Sequence, residues 1–305
     1  MESNVAIVVV HQGLSDYLKY CLLKAKQYNP TTPIVLIGNE ENRCLLDVIP
    51  DLIHIIPDQN TPDIRAFKNN YKHRSTQPET FELMCFLRWF FVRDYMKLNN
   101  IERCLHIDSD VLLFCDAWQA GEPFRSYGMT FSTWGNPNYL MGHTCYINDY
   151  QLLNAFCYML LDCFTNAEKS QFLDELFVKL RINSEYTAIS DMSLLKLFYD
   201  KNSQHMGKVS DIVNDTTFDN RLTSCEGGYT ANSRLFKKEM KKILFEDRIP
   251  YCRNTMLQKN IRFHSIHFHG NMKYMMKYFF KENVNYFGDI LLERIRLKMQ
   301  KIFRL

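Results

Sequence analysis

Two carboxylates interrupt the otherwise apolar run LHIDSDVLLF, residues 105–114. If the run is a strand ending near Ile107, Asp108 and Asp110 sit two apart at its carboxyl end and point to one side. Carboxylates held together repel, so one must be protonated or a cation must lie between them. A divalent ion shared with phosphate oxygens suits the pattern, because Mg2+ or Mn2+ takes one or two carboxylates plus substrate phosphates in an octahedral shell. An Asp-x-Asp arises by chance about once in a chain of this length, so the apolar flanks single this one out. The plainer alternative is a solvated turn after a strand.

A second constellation is HFHGNMK, residues 267–273, which closes the strand-like IRFHSIHF and opens the basic, apolar NMKYMMKYFF. His267, Gly270 and Lys273 make an His-x-x-Gly-x-x-Lys pattern at a strand-to-helix junction. An imidazole can complete the coordination of an ion, glycine lets backbone approach a diphosphate, and lysine meets phosphate as a point charge. A histidine ligand favours Mn2+ over Mg2+. His269 shares the face of His267 if the strand continues, so either could be the ligand; a histidine-rich strand followed by a basic helix would look the same.

Arg88 lies in a helix expected over 80–98, where a 100° step sets it in a stripe with Phe81, Met84, Cys85 and Val92, opposite Glu82, Arg93 and Lys97. A guanidinium in an apolar stripe needs an anionic partner, either a nucleotide diphosphate or a structural carboxylate such as Asp110. Asp191, in AISDMSLLKLF, could be a helix N-cap, as could Ser190, or a carboxylate that contacts or deprotonates an acceptor hydroxyl. The stretch 134–148, WGNPNYLMGHTCYIN, mixes aromatic, amide and hydroxyl groups suited to a sugar, and such loops also occur without a ligand.

The elements that must position these residues follow from periodicity. Val5 to His11 is a β-branched apolar run, a helix follows to Tyr28 after a cap at Ser15 or Asp16, and strands follow at 34–37 and 52–56. A polar loop then leads to the helix 80–98 and the strand 104–107. Strands alternating with helices and reading as near-continuous apolar runs imply an α/β fold with a mostly parallel sheet. Ligands in such folds bind beyond the carboxyl ends of strands. Strands are expected near 128–133 and 143–147, a largely helical stretch over 149–202, and strands again at 243–245 and 261–268.

Composition sets bounds. The 305 residues are 46% hydrophobic, enough for a substantial core, and a net charge of +3 speaks against a nucleic-acid partner. Ten cysteines are scattered with no Cys-x-x-Cys pair, which points to a reducing, cytoplasmic compartment. MESNVAIVVVHQG lacks the basic and long apolar regions of a signal peptide, and no run is long enough to span a bilayer. Residues 271–305 hold eight Lys/Arg against three acids. In GDILLERIRLKMQKIFRL, Leu291, Ile295, Met299 and Ile302 share one helical face and Arg294, Lys298 and Lys301 another, as in a helix lying on an anionic membrane surface. A helix packed on the domain with a solvated basic face is the alternative.

The N-terminal strand-helix-strand unit, IDSDVLLF and the His-x-x-Gly-x-x-Lys stretch, in that order, resemble the GT-A fold nucleotide-sugar glycosyltransferases, and most of all the glycogenin and lipopolysaccharide galactosyltransferase family. The resemblance implies a GT-A catalytic domain over 1–270, nucleotide-binding to about 115 and acceptor-facing beyond, with basic amphipathic helices over 271–305. It implies that Asp108, Asp110 and His267 hold Mn2+ or Mg2+, and that Gly270 and Lys273 meet the diphosphate of a UDP-sugar. Val10 and His11 would border the uracil, Arg88 would be the basic residue of the helix before the Asp-x-Asp strand, and Ser109 is taken with the donor-binding residues. The acceptor would be a saccharide or a lipid-linked sugar, the location the cytoplasm or the cytoplasmic face of a membrane. The family's Lys-Pro-Trp is replaced by Lys273-Tyr274-Met275 and its Asp-Gln pair by Asp191-Met192, leaving retention and inversion both open. The competing readings are a sugar-nucleotide nucleotidyltransferase using the same paired aspartates, and a non-catalytic metal- or nucleotide-binding protein.

Overall fold

The computed structural model describes residues 4–133, 135–181, 187–232 and 240–282, with 284, 288, 296 and 299 singly. Strand β1 (Val5–Val10) is followed by α1 (Leu18–Tyr28), β2 (Ile34–Ile37), β3 (Leu52–Ile55), α2 (Pro62–Asn70) and the long α3 (Glu79–Leu98). Strands β4 (Arg103–Ile107) and β5 (Val111–Leu113) flank the Asp-Ser-Asp triplet. Next come α4 (Ala117–Gly121), β6 (Met129–Thr133), β7 (Leu140–Met141), β8 (Thr144–Ile147), α5 (Tyr150–Thr165), α6 (Ala167–Arg181) and α7 (Asp191–Asn202). Then follow β9 (Met206–Lys208), β10 (Thr216–Phe218), β11 (Leu244–Glu246), β12 (Ile249–Asn254), β13 (Lys259–His267) and α8 (Met276–Phe280). The expected α/β class is the one observed, and every strand and helix expected within the described residues has its counterpart, with ends shifted by a few residues.

The chain forms two compact units, interleaved in sequence: Met1–Leu14, Pro30–Ser109 and Gly121–Val209 make the first, Ser15–Asn29, Asp110–Ala120 and Ser210–Leu305 the second. In the first, the sheet runs β3-β2-β1-β4-β8-β6-β7 with β9 beside β6. The β3-β2-β1-β4 half is parallel, whereas β8 enters antiparallel to β4. The apolar runs VAIVVV and IVLI suit this half because central parallel strands are covered on both faces. Phe67 of α2, Phe86 and Phe90 of α3 and Phe164 of α5 knit the helices into one core, with ring centroids 4.9–5.5 Å apart.

In the second unit β13 is central. It pairs parallel with β10 and antiparallel with β12 and β5, and β11 lies outside β12. Helix α1 contributes the buried Cys21, Leu22 and Ala25. Its Lys24, also buried, gives its ammonium to Glu282 Oε1 at 2.7 Å and to the Phe280 carbonyl at 2.8 Å. Phe268 and Phe279 pack edge to face at 5.0 Å, fixing the segment after β13.

Three local expectations change. Neither Ser15 nor Asp16 caps α1, which starts at Leu18 after Tyr17 without a side-chain cap. The polar loop before α3 contains α2, opened by Pro62 at its first turn and buried through Ile64 and Phe67. Helix α3 does not present the expected stripe, since Glu82 and Arg93 are buried and Phe81 is exposed. It is enclosed on several sides, so no single apolar face describes it. Among the described residues no helix is long and apolar enough to cross a membrane. All ten cysteines are free thiols.

Candidate active site

The Asp-Ser-Asp triplet spans the division between the units, so the expected site residues form two groups, each inside one unit. In the first unit they gather around Arg88. Its Nη1 donates to Asp108 Oδ1 and its Nη2 to Asp191 Oδ2, both at 2.5 Å, and Trp89 Nε1 donates to the same Asp191 oxygen at 2.9 Å. The two anionic partners are thus Asp108 and Asp191, not Asp110. His106, in β4, donates through Nδ1 to the Val8 carbonyl at 3.2 Å, and its Nε2 faces Asp108 Oδ1 at 3.4 Å. Burial alone would raise the Asp108 carboxyl, but the Arg88 charge, with His106 beside it, outweighs this and holds it well below the usual carboxylate range.

Asp191 is not the cap of α7. Ser190 is, accepting from the Ser193 N–H at 3.4 Å while Ser193 Oγ accepts from Ser190 N–H at 2.9 Å. Asp191 is therefore available to the guanidinium. Strand-like pairing of 74–76 with 187–189, through Ile189 N–H to the Arg74 carbonyl at 2.7 Å and Thr76 N–H to the Thr187 carbonyl at 3.2 Å, steadies the approach to this helix start. On the same segment Ser75 Oγ donates to buried Glu82 at 2.6 Å. Burial is the chief reason that the Glu82 carboxyl is pushed up to about 7; Asp191 adds to the shift and the Ser75 bond opposes it. Trp89 is seated on Gly142, where a Cβ would lie 2.4 Å from its ring.

The end of β1 also belongs to this unit. Val10 closes the strand, and His11 Nδ1 lies 2.9 Å from Ser109 Oγ. Asn42 is fully buried and donates to the Gly13 carbonyl at 2.7 Å, fixing the turn that follows His11. In the stretch expected to suit a sugar, Tyr139 is buried with its hydroxyl 3.4 Å from the Ala188 carbonyl. Trp134 lies outside the described residues.

In the second unit, strand register brings the two motifs together. His267 pairs with Val111, and Phe268 N–H continues the ladder to the Asp110 carbonyl at 2.9 Å. His267 Nε2 consequently faces Asp110 Oδ1 at 3.6 Å, and Lys273 Nζ reaches Asp110 Oδ2 at 3.2 Å from above the Tyr17 ring. Gly270 holds φ +58°, the left-handed region that favours glycine, and a Cβ there would meet nothing within 4 Å. Strand β13 ends at His267, and His269 turns instead to Thr223 Oγ1 at 3.3 Å. His267 is thus the histidine beside the carboxylate.

The donor set fits a divalent cation. His267 Nδ1 lies 2.8 Å from the Asn220 carbonyl, an oxygen that can only accept, so Nδ1 carries a proton and Nε2 is the ring nitrogen presented to Asp110. A carboxylate oxygen and an imidazole nitrogen are ligand types suited to Mn2+. The charge argument drawn from sequence alone is weaker than the geometry, because protein cations already serve both acids, Arg88 at Asp108 and Lys273 at Asp110. Ligand-type atoms of Glu82, Cys85 and Asp191 also lie within 4.8 Å of one another. That group is poorly suited to a cation, since Arg88 and Trp89 take up Asp191 Oδ2.

Sequence reasoning missed Trp89, His106, Glu82, Asp219 and Lys241. Trp89 and His106 adjoin expected site residues in sequence, a signal that was readable. Asp219 and Lys241 carry none: the pairing of β10 with β13 brings Asp219 to His267, and Lys241 joins it through its N–H on the Leu222 carbonyl and its ammonium on Asp219.

No family model and no curated protein matches the chain. Several solved structures are similar to it. Mouse xyloside xylosyltransferase 1 in its apo form is 11% identical with a TM-score of 0.45, covering 70% of this chain and 87% of that one. The glycosyltransferase GlyE of Streptococcus pneumoniae is 16% identical with a TM-score of 0.37, covering 70% and 47%. The galactosyltransferase LgtC, in complex with donor and acceptor sugar analogues, is 14% identical with a TM-score of 0.35, covering 63% and 70%. Likeness at these scores adds nothing to the chemistry, which rests on the chain's own residues.

Proposed function

We propose that the chain is a divalent-metal-dependent glycosyltransferase that moves a sugar from a nucleoside-diphosphate sugar, a UDP-sugar, to a hydroxyl of a saccharide or lipid-linked acceptor. The observation that carries this is the convergence of a carboxylate, an imidazole presented through Nε2 and a lysine beside a glycine turn at Asp110, His267, Lys273 and Gly270. Asp110 and His267 would hold Mn2+ or Mg2+, with Asp108 as the further carboxylate that the sequence spacing assigns. Bound there, the ion would supply positive charge for the departing diphosphate.

The chain's own groups have separate tasks. Lys273 offers a point charge to the diphosphate, and the side-chain-free flank of Gly270 lets that group approach the backbone. Val10, His11 and Ser109 take the nucleoside, Ser109 held by His11. Asp191 is the carboxylate for the acceptor hydroxyl, its Oδ2 fixed by Arg88 and Trp89.

A panel of nucleotide-sugars with Mn2+ present, read as UDP or GDP release, tests this reading. One UDP-sugar should turn over, and Asp110→Ala or His267→Ala should abolish turnover with the fold intact. Full activity in excess chelator rejects the proposal, and pyrophosphate release from UTP and a sugar phosphate would make the chain a nucleotidyltransferase instead. Residues 288–305, in sequence a basic amphipathic helix, would hold the enzyme to the cytoplasmic face of an anionic membrane; apart from 288, 296 and 299 they lie outside the described residues. Equal flotation on anionic vesicles with and without that segment would end this part.

A further inference from the structure

His267 owes its orientation to a polar cradle that begins at the end of β10. At the end of β10 the ladder with β13 is irregular: Thr217 pairs with Phe263 and Phe218 with Ser265, skipping His264. Beyond it the Asp219 side chain replaces backbone as acceptor, its Oδ2 taking the His267 N–H at 3.0 Å. Leu222 N–H returns to the His267 carbonyl at 3.0 Å, so residues 219–222 wrap the strand end. The wrap is held by Lys241, whose ammonium reaches Asp219 Oδ1 at 2.7 Å, Asn220 Oδ1 at 2.9 Å and the Arg221 carbonyl at 2.8 Å. Both members of the ion pair are fully buried, and the Tyr229 ring lies beside the ammonium.

A pair this deep is a poor way to gain stability, because desolvating two charges offsets most of their attraction. What it does fix is conformation. Three donations from one ammonium set the path of 219–221, and that path aims the Asn220 carbonyl at His267 Nδ1. We infer that Lys241 and Asp219 are positioning residues which hold His267 in the Nδ1–H tautomer, Nε2 toward Asp110, and thereby set the affinity of the site for a divalent cation that neither of them touches. The inference rests on the proposed role of His267 as a metal ligand. Outer groups that orient a ligating histidine govern metal affinity by about 10–100-fold.

The test uses the whole chain and has two readouts, the tautomer of His267 by nitrogen-15 NMR without metal, assigned with His267→Gln, and the binding of Mn2+ alone by electron paramagnetic resonance. Lys241→Met leaves Asp219 without its ammonium and could fail to fold. The double substitution Lys241→Met with Asp219→Leu removes both charges and is the better tolerated. In either folded variant the Nδ1–H signature should give way to a mixture of tautomers, and Mn2+ should bind about 10–100-fold more weakly. Lys241→Arg should restore part of both. A folded variant that keeps the single tautomer and wild-type Mn2+ affinity overturns the inference. A wild-type chain with the expected tautomer but no Mn2+ binding overturns the metal-site reading, and the metal half of this inference with it.

Discussion

Replacing Arg88 by methionine isolates the interaction at the centre of the first unit. The side chains of Arg88, Asp108 and Asp191 are 12%, 27% and 3% exposed, so the Asp191 end is buried while the Asp108 end is within reach of water. Exposed ion pairs contribute about 0.2–1 kcal/mol, a scale that does not apply at Asp191. Removing one partner of a buried pair costs about 3–5 kcal/mol, because the other charge stays behind. In Arg88→Met, Asp191 Oδ2 would keep the Trp89 N–H, with Glu82 nearby. The expected loss is therefore about 3–5 kcal/mol in urea denaturation at pH 7, and hydration of Asp108 favours the lower end. With a slope of about 3 kcal/mol/M, the midpoint falls by roughly 1–1.7 M. Asp191→Asn alone and combined with Arg88→Met completes a cycle, whose coupling should exceed about 1 kcal/mol. A loss below about 1 kcal/mol with an additive cycle would refute the clasp.

Glu82 gives a pH signature of opposite sign to that of a paired acid. Its carboxyl is raised from the ordinary 4.5 to about 7, so its contribution to stability is complete below 4.5 and is lost as pH rises toward 7. Over that window wild type should lose roughly 3 kcal/mol that Glu82→Gln does not, measured by denaturation at stepped pH; parallel profiles would contradict the burial argument. Gly142→Ala puts a methyl 2.4 Å from the rigid Trp89 ring, and should cost about 1–3 kcal/mol and alter the near-ultraviolet circular dichroism. An unchanged spectrum and melting temperature would show that Trp89 does not rest on that glycine.

Much of the first unit was readable because its signals are local. VAIVVV, IVLI and RCLHI are apolar runs of strand length, and each forms a parallel strand of the sheet. The two motifs were readable as well, and the register of β5 on β13 accounts for their meeting at Asp110. Illegible features depend on partners distant in sequence. A helical wheel put Glu82 and Arg93 on the solvent side of α3, but Ser75 and Asp63 reach them from elsewhere in the chain. Ser190 and Asp191 had equal claim to the cap, and they are separated by the capping box of Ser190 with Ser193 and by the position of Arg88 beside Asp191. The buried Lys241–Asp219 pair spans 22 residues with no pattern between.

The Lys24–Glu282 pair decides where the chain can be shortened. Deleting 288–305 for vesicle work leaves Glu282 in place, so any change in lipid affinity can be assigned to the removed segment. Stopping at residue 270 would instead strip Lys24 of the Glu282 carboxylate, the Phe280 carbonyl and the Phe280 ring together, leaving its ammonium beside the rings of Tyr28 and Phe114 with no anionic partner from that segment. The shortest useful version therefore ends beyond residue 282, although the last expected donor-binding residue is Lys273.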